Sequence, residues 1–121
     1  MKHDIISVRP FVGAKNFDVS RSFYRDIGFT ETVLSPVLSL FRWEAIGFYL
    51  QDAFVKDWID NTMVFFEVAD AGSIYKHLAG MELNRTYDDI KLLPLRTEHW
   101  GRECFLHDPS GVLLHFGEFF K

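Results

Sequence analysis

Four residues whose side chains can do chemistry lie close together near the end of the chain: Trp100, Arg102, Cys104 and His115. They flank the segment Asp108-Pro109-Ser110-Gly111, in which Asp, Pro and Gly occupy the positions that a type I turn favours. Apolar and polar residues alternate on both sides of this turn, which predicts a β-hairpin. The hairpin would bring an indole, a guanidinium, a thiol and an imidazole to one part of the molecule.

The register of this hairpin decides which side chains share a face. With His107 opposite Val112, one face is expected to carry Arg102, Cys104, Leu106, Leu113, His115 and Gly117. The other face would then carry Glu103, Phe105, His107, Val112, Leu114, Phe116 and Glu118. Because the first face is a mixture of apolar, charged and reactive groups, we predict that it lines a cavity.

His115 and Cys104 raise the question of catalysis. An imidazole titrates near neutral pH and can act as a general base, and a neighbouring thiol can form a thiolate and imidazolium pair with it. The sequence offers no third group to orient such a pair, so we assign no catalytic residue. A reaction assisted by His115 stays an alternative.

Composition narrows the class of partner. The 121 residues predict a single domain, 1–121, and 17% of them are aromatic, including 13 Phe, which leaves aromatic surface for a ligand. The net charge is −4, and the Lys and Arg residues are scattered rather than clustered. This pattern argues against nucleic acid or an anionic membrane as the partner and favours a neutral or cationic molecule.

The cysteine count and the beginning of the chain indicate a cytoplasmic protein. A single cysteine, Cys104, cannot form an internal disulfide. The apolar run after Met-Lys-His-Asp is too short for a signal peptide or a membrane span.

Hydrophobic periodicity predicts the same order of elements twice. The first half reads as a strand, a helix and three strands, at 5–12, 18–27, 29–34, 38–43 and 46–51. The second half repeats the order at 62–68, 71–78, 91–96, 102–107 and 112–119. Asn16 or Asp18 can cap the first helix, Gly28 can end it, and Asp70 can cap the second. The predicted fold is α+β, with two βαβββ modules, about 1–52 and 62–121, whose mixed sheet curves around a concave cavity, and an aperiodic linker over 53–61.

The segment from Asn16 to Phe29 carries a family resemblance. It resembles the helix signature of the vicinal oxygen chelate superfamily, Asp-Leu-x-x-Ser-x-x-Phe-Tyr closed by Leu-Gly-Phe, with Asn16 in place of Asp and Ile27 in place of Leu. The Trp-Gly pair, the Asp-Pro-x-Gly turn, the following His-Phe and the segment Asp60-Asn61-Thr62 are most similar to the bleomycin resistance protein branch. The resemblance covers nearly the whole chain and implies the glyoxalase/bleomycin resistance fold.

The resemblance also allows a test for a metal. Metal-dependent members place one ligand on each of four strands, and the matching positions here are Arg9, Tyr49, Met63 and His115. Of these, His115 alone is a plausible ligand, because Arg has no lone pair and Met and Tyr suit a hard divalent ion poorly. We therefore expect no metal or other cofactor and none of the metal-dependent activities of the superfamily.

Alternation along the strands predicts the ligand-binding residues of the concave face. Trp100 is the foremost of them, since the Trp-Gly pair borders the drug groove in the branch resembled. The predicted set is Arg9, Phe11, Tyr49, Gln51, Met63, Phe65, Glu67, Trp100, Arg102, Cys104 and His115. An alternative is that Arg9 pairs with Glu67 and that the aromatic residues belong to the core.

The resemblance implies a function and two rivals. The leading hypothesis is a metal-free small-molecule binding protein that sequesters an aromatic or cationic compound in the groove of a homodimer, whose protomers exchange their first strands. The first rival is an enzyme, a lyase or dioxygenase that uses a metal or His115. The second is a scaffold whose groove is filled by its own side chains.

Overall fold

Two four-stranded sheets form the framework of the computed structural model, which describes residues 3–121. The first sheet has the order β1-β4-β3-β2, and its strands are Phe11–Gly13 (β1), Thr30–Ser35 (β2), Leu38–Trp43 (β3) and Ile46–Gln51 (β4). Helix α1, Phe17–Ile27, connects β1 to β2. β1 runs parallel to β4, and the other pairs are antiparallel.

The second sheet repeats this arrangement. Its order is β5-β8-β7-β6, and its strands are Met63–Glu67 (β5), Lys91–Thr97 (β6), Gly101–His107 (β7) and Leu113–Phe119 (β8). Helix α3, Ala71–Gly80, follows β5, and β5 runs parallel to β8. The predicted α+β class with two βαβββ modules is confirmed, and the mixed sheet is divided into two four-stranded sheets.

Local capping determines where the two long helices begin. The Asn16 side chain accepts a hydrogen bond from the Val19 amide, 3.2 Å away, and the Asp70 side chain accepts one from the Ser73 amide at 3.1 Å. Gly28, with φ of 125°, ends α1 in a conformation that favours glycine. Of the two cap residues considered for α1, the structure uses Asn16.

One core joins the two halves. The Phe29 ring from the first half lies 5.5 Å from the Phe66 ring of the second, measured between centroids. The buried Tyr24 hydroxyl of α1 donates a 2.6 Å hydrogen bond to Asp108 in the β7–β8 turn. The sides of the sheets that face the helices are therefore packed, whereas the opposite sides carry exposed residues such as Phe11 and Phe65.

The predicted first strand, 5–12, is wrong for most of its length. β1 begins at Phe11, and Ile5, Ile6 and Val8 lie in a segment without regular secondary structure, with 84%, 92% and 85% of their surface exposed. No strand of the described chain pairs with this segment. The apolar, β-branched residues of this segment predicted a buried strand. The segment forms no strand in the monomer because no strand of the described chain pairs with it.

The connection between the sheets is more ordered than its sequence indicates. A short helix, α2, occupies Lys56–Asp60, and Ile59 on it is buried. A 3₁₀ turn at Leu83–Arg85 follows α3. None of the helices within residues 3–121 has the length and apolar character needed to cross a membrane.

Candidate functional site

The β7–β8 turn contains one residue more than its sequence predicts. The Asp108 side chain accepts hydrogen bonds from the Ser110 and Val112 amides, both at 2.9 Å, and the Asp108 amide donates to the Val112 carbonyl. Val112 therefore belongs to the turn, and His107 pairs with Leu113. The predicted register, with His107 opposite Val112, is wrong by one residue, and this shift moves every residue of β8 to the other face relative to β7.

Cys104 consequently lies far from the position predicted for it. It pairs with Phe116 on the side facing the helices and is 0% exposed. Burial, with a smaller contribution from the neighbouring Glu103 carboxylate, raises the pKa of its thiol to about 11. The predicted placement of Cys104 beside His115 is wrong, and the buried thiol is a poor nucleophile.

Arg102 also lies on the side facing the helices, not toward the cavity as predicted. Its Nη2 atom is 2.7 Å from Glu118 Oε1 and 3.4 Å from Asp70 Oδ1. Glu118 Oε1 also accepts a hydrogen bond from the Ala71 amide at the start of α3. This amide, together with Arg102, lowers the pKa of Glu118. Arg102 thus holds a carboxylate that fixes the beginning of a helix.

The opposite side of the second sheet carries a group of rings that we name the second-sheet cluster: Phe65, Trp100, His115 and Phe119. The Phe65 centroid lies 6.2 Å from Trp100, 6.0 Å from His115 and 5.9 Å from Phe119. The Trp100 and Phe119 centroids are 5.1 Å apart. Phe65 and Phe119 remain 45% and 47% exposed, so the cluster offers ring surface to solvent.

Gly117 allows this cluster to lie close to the sheet. A Cβ atom at Gly117 would come within 2.3 Å of Phe65 Cζ, which no packed side chain tolerates. The Phe65 ring therefore lies directly over the Gly117 backbone.

His115 lies beside a carboxylate that the predicted register placed on the other face. His115 Nδ1 is 3.6 Å from Glu103 Oε2, and the His115 ring meets the Phe105 ring at 4.8 Å between centroids and 70° between planes. Glu103, Phe105 and Phe119 are the residues that sequence reasoning missed. Alternation along β8 could have found Phe119, which lies four residues after His115, whereas the extra turn residue that brings Glu103 and Phe105 to this face is visible only in the structure.

The first sheet carries a smaller group, the first-sheet cluster, made of Arg9, Phe11 and Tyr49. The Phe11 and Tyr49 rings stack at 5.0 Å, and Arg9 Nη1 donates a 3.3 Å hydrogen bond to the Tyr49 hydroxyl. The Arg9 guanidinium carbon also lies 5.9 Å from the Tyr49 ring centroid, a cation–π distance. These three predicted residues share one face, as expected.

The predicted set of eleven residues thus divides into four groups. The structure brings Phe65, Trp100 and His115 together in one cluster and Arg9, Phe11 and Tyr49 together in another. Met63, Gln51 and Glu67 lie exposed at strand ends, and Arg102 and Cys104 lie on the face toward the helices.

Comparison with known proteins identifies the fold. No protein-family model matches the chain, and no curated protein matches it. The bleomycin resistance determinant encoded on the transposon Tn5 superposes with a TM-score of 0.81 at 14% identity, over 95% of this chain and 98% of that one. The bleomycin-binding protein from Streptomyces verticillus, solved with copper(II)-bleomycin, gives 0.79 at 22% identity, over 97% and 98%. The chain has the bleomycin resistance fold.

The same fold serves an enzyme. Lactoylglutathione lyase from Agrobacterium tumefaciens superposes with a TM-score of 0.73 at 16% identity, over 95% of each chain. Because the bleomycin resistance fold hosts both a binding protein and a lyase, the function of this chain must be argued from its own side chains.

Those side chains do not fit a divalent metal. Of the four positions Arg9, Tyr49, Met63 and His115, only His115 offers a good ligand atom, and its neighbours are the Phe65 and Phe105 rings and the Glu103 carboxylate. Within residues 3–121, no three His, Cys, Asp or Glu side chains come together in a way that could hold a metal ion.

Proposed function

We propose that this protein binds a small aromatic or cationic compound on the second-sheet cluster and sequesters it without a metal. The observation that supports this proposal is the half-exposed ring surface of Phe65 and Phe119, with Trp100 beside it, lying over Gly117. Exposed aromatic groups of this size are typical of ligand and partner sites.

The chemistry of the cluster indicates the class of compound. Ring faces attract planar aromatic groups by stacking, and they also attract cations. Carboxylates lie at both sides of the cluster, Glu103 against His115 and Glu67 at the end of β5. Together with the net charge of −4, these carboxylates favour a ligand that is both aromatic and positively charged.

We propose further that the binding protein is a homodimer that exchanges its N-terminal segments. Ile5, Ile6 and Val8 are almost fully exposed, and the exposed Phe11 and Met63 lie at the edges of the two sheets. Apolar surface of this extent on a monomer marks an interaction site. A second copy would cover it and would close a groove over each cluster.

The pairing of His115 with Glu103 supports one rival. The Glu103 carboxylate lies 3.6 Å from His115 Nδ1, within ion-pair distance but beyond a hydrogen bond, and an imidazole beside a carboxylate can act as a general base. The second candidate function is therefore a His115-assisted reaction of the kind that the lyase neighbour makes plausible for this fold.

Fluorescence titration with bleomycin tests the binding function. We expect saturable quenching of Trp fluorescence in the wild type and loss of that quenching in Trp100→Ala. Trp58→Ala is the matched control, because Trp58 is exposed on α2 and takes no part in the cluster. An unchanged response in Trp100→Ala would remove the second-sheet cluster from the site. Absence of saturable binding to bleomycin and to a panel of polycyclic cations would overturn the proposal.

Metal analysis of protein purified without chelators separates binding from metal-dependent catalysis. We expect less than stoichiometric Ni, Zn, Mn and Fe. A stoichiometric content of any of these metals would overturn the metal-free part of the proposal.

A further inference from the structure

Two carboxylates flank Gly117 on the face of the second sheet that carries the second-sheet cluster. Glu67 of β5 pairs with Gly117 on one side, and Glu103 of β7 pairs with it on the other. Paired residues of neighbouring strands share a face, and the strands lie about 5 Å apart. The Phe65 ring covers the Gly117 backbone between the two carboxylates. A flat group that stacks on Phe65 therefore has a carboxylate on each side of it.

The two carboxylates differ in how far they are removed from water. Glu67 is exposed at the end of β5, where solvent screens its charge. The Glu103 side chain is only 12% exposed. A carboxylate that has lost most of its contact with water needs hydrogen-bond donors or a positive charge in exchange. The partners of Glu103 therefore decide what this face can bind.

Within residues 3–121, the Glu103 carboxylate has one ion-pair partner and accepts no hydrogen bond. That partner is His115, whose Nδ1 atom lies 3.6 Å from Glu103 Oε2, beyond hydrogen-bonding distance. Arg96 is the cross-strand neighbour of Glu103 on β6, but its Nη2 atom lies 3.3 Å from Glu98 Oε1 and its side chain is 64% exposed. The Glu103 carboxylate thus keeps acceptor capacity that the described chain does not use.

The remaining basic groups of this face lie at the far end of the hairpin. Lys91 pairs with His107, four residues along β7 from Glu103, which is a distance of about 13 Å. In the described part of the chain, no basic group other than His115 comes within ion-pair distance of Glu103. A positive charge that satisfies this carboxylate more closely can therefore come from a ligand.

We propose that Glu103 is the counter-ion for the ligand of the second-sheet cluster and selects planar aromatic compounds that carry a positively charged N–H donor. The ring system would stack on Phe65, and its charged N–H would donate to the Glu103 carboxylate. Charge-assisted hydrogen bonds of this kind are about twice as strong as neutral ones. This inference rests on the proposed function and adds the residue and the functional group that set its selectivity.

Three probes built on the same three-ring system separate charge from hydrogen bonding. Proflavine is protonated at neutral pH and carries N–H donors, N-methylacridinium carries the charge without an N–H, and acridone carries an N–H without the charge. Calorimetric titration measures the dissociation constant of each. In the wild type we expect proflavine to bind about thirtyfold more tightly than acridone, because hydrogen bonds to charged groups are strong single contacts. Equal affinities for proflavine and N-methylacridinium would contradict the requirement for an N–H donor.

Glu103→Gln keeps the shape of the side chain and removes its charge. We expect its affinity for proflavine to fall about twentyfold and its affinity for acridone to change less than about threefold. Glu67→Gln is the matched control, with the same loss of charge at an exposed position of the same face, and should lower proflavine affinity less than about threefold. The quantity compared is the ratio of the proflavine and acridone affinities in each variant, because intrinsic differences between the probes then cancel.

The outcomes separate this inference from the proposed function. An unchanged ratio in Glu103→Gln would overturn the inference and leave ligand binding standing. An equal fall of the ratio in Glu67→Gln would also overturn it, because a general loss of negative charge would then account for the effect. Saturable binding of bleomycin without binding of any of the three probes would contradict the inference alone. If neither bleomycin nor any of the probes binds saturably, the inference and the proposed function both fail.

Discussion

The two faces of the β7–β8 hairpin differ in how much side-chain surface they leave exposed to solvent. On the face toward the helices, Cys104, Leu106 and Leu114 are at most 1% exposed, and at the end of that face Arg102 and Glu118 bind each other. On the opposite face, His115 and the rings around it keep part of their surface in solvent. One set of alternating residues is buried or ion-paired within the fold. The other set keeps side-chain surface exposed that a ligand could contact. Substitutions on the two faces should therefore have separable effects, the first on stability and the second on binding.

The largest expected effect is on stability, at the turn that sets the register. Asp108→Ala leaves the buried Tyr24 hydroxyl without its acceptor and removes two turn hydrogen bonds, which should lower the free energy of unfolding by about 4 kcal/mol. Urea unfolding measures this loss. Tyr24→Phe is the control and should cost only about 1 kcal/mol, because the turn amides keep their acceptor. Equal losses in the two variants would mean that Asp108 does not hold the turn.

The second effect extends the comparison to the first sheet, where Glu31 joins β2 to α1. Burial raises the pKa of this carboxyl, but hydrogen bonds from Arg21, Ser39 and Arg25 outweigh burial and lower the pKa from 4.5 to about 2. The stabilisation is therefore present above pH 4.5 and is lost as the pH falls toward 2.

Between pH 7 and pH 3 this group should contribute a loss of about 2 kcal/mol in the free energy of unfolding. The measurement is the difference between wild type and Glu31→Gln at the two pH values, since other carboxylates contribute equally to both proteins. We expect the difference to shrink by that amount at pH 3. A difference that does not vary with pH would contradict the role assigned to Glu31.

The third effect is on binding, at the open face. Phe65→Ala removes the ring at the centre of the second-sheet cluster and should weaken the proposed ligand binding, measured with bleomycin as the probe, about tenfold, while stability changes much less than in Asp108→Ala. Calorimetric titration and urea unfolding of the same preparation give both numbers. A variant that loses stability but keeps its affinity would reverse the assignment of the two faces.

The smallest effect tests how close the ring lies to the sheet. Gly117→Ala places a methyl group where Phe65 now lies, so the ring must move, and we expect the affinity of the proposed site, measured with the same probe, to fall about threefold. Gly80→Ala is the control, because a Cβ atom there meets nothing within 4 Å. Identical affinities in both variants would show that the position of the Phe65 ring is not important for binding.

The parts of the fold that depend on local signals were predictable. β3 and β4 have the predicted bounds, and α1 begins after one of the two predicted caps, Asn16. These features depend on alternation, on a tight turn and on a capping side chain, all of which lie within a few residues of one another.

The candidate site was predictable only in part. Phe65, Trp100 and His115 come together as expected, but Glu103 replaces Cys104 beside His115, and Phe119 was missed. Glu103 takes the place of Cys104 because one hydrogen bond from the Val112 amide to the Asp108 side chain adds a residue to the turn and reverses the faces, whereas Phe119 shares a face with His115 by alternation alone. The residue types of this turn do not specify how many residues it contains. Nor do the residue types of the segment before Pro10 show that this segment pairs with no strand of its own chain.

The sequence by itself determined the two βαβββ modules and the aromatic character of the molecule, because caps, turns and periodicity act locally. Tertiary structure decided which side chains share a face and which apolar segment stays uncovered. Those outcomes depend on the number of residues in the β7–β8 turn and on which strands pair over long sequence separations. The residues of a single strand specify neither of these.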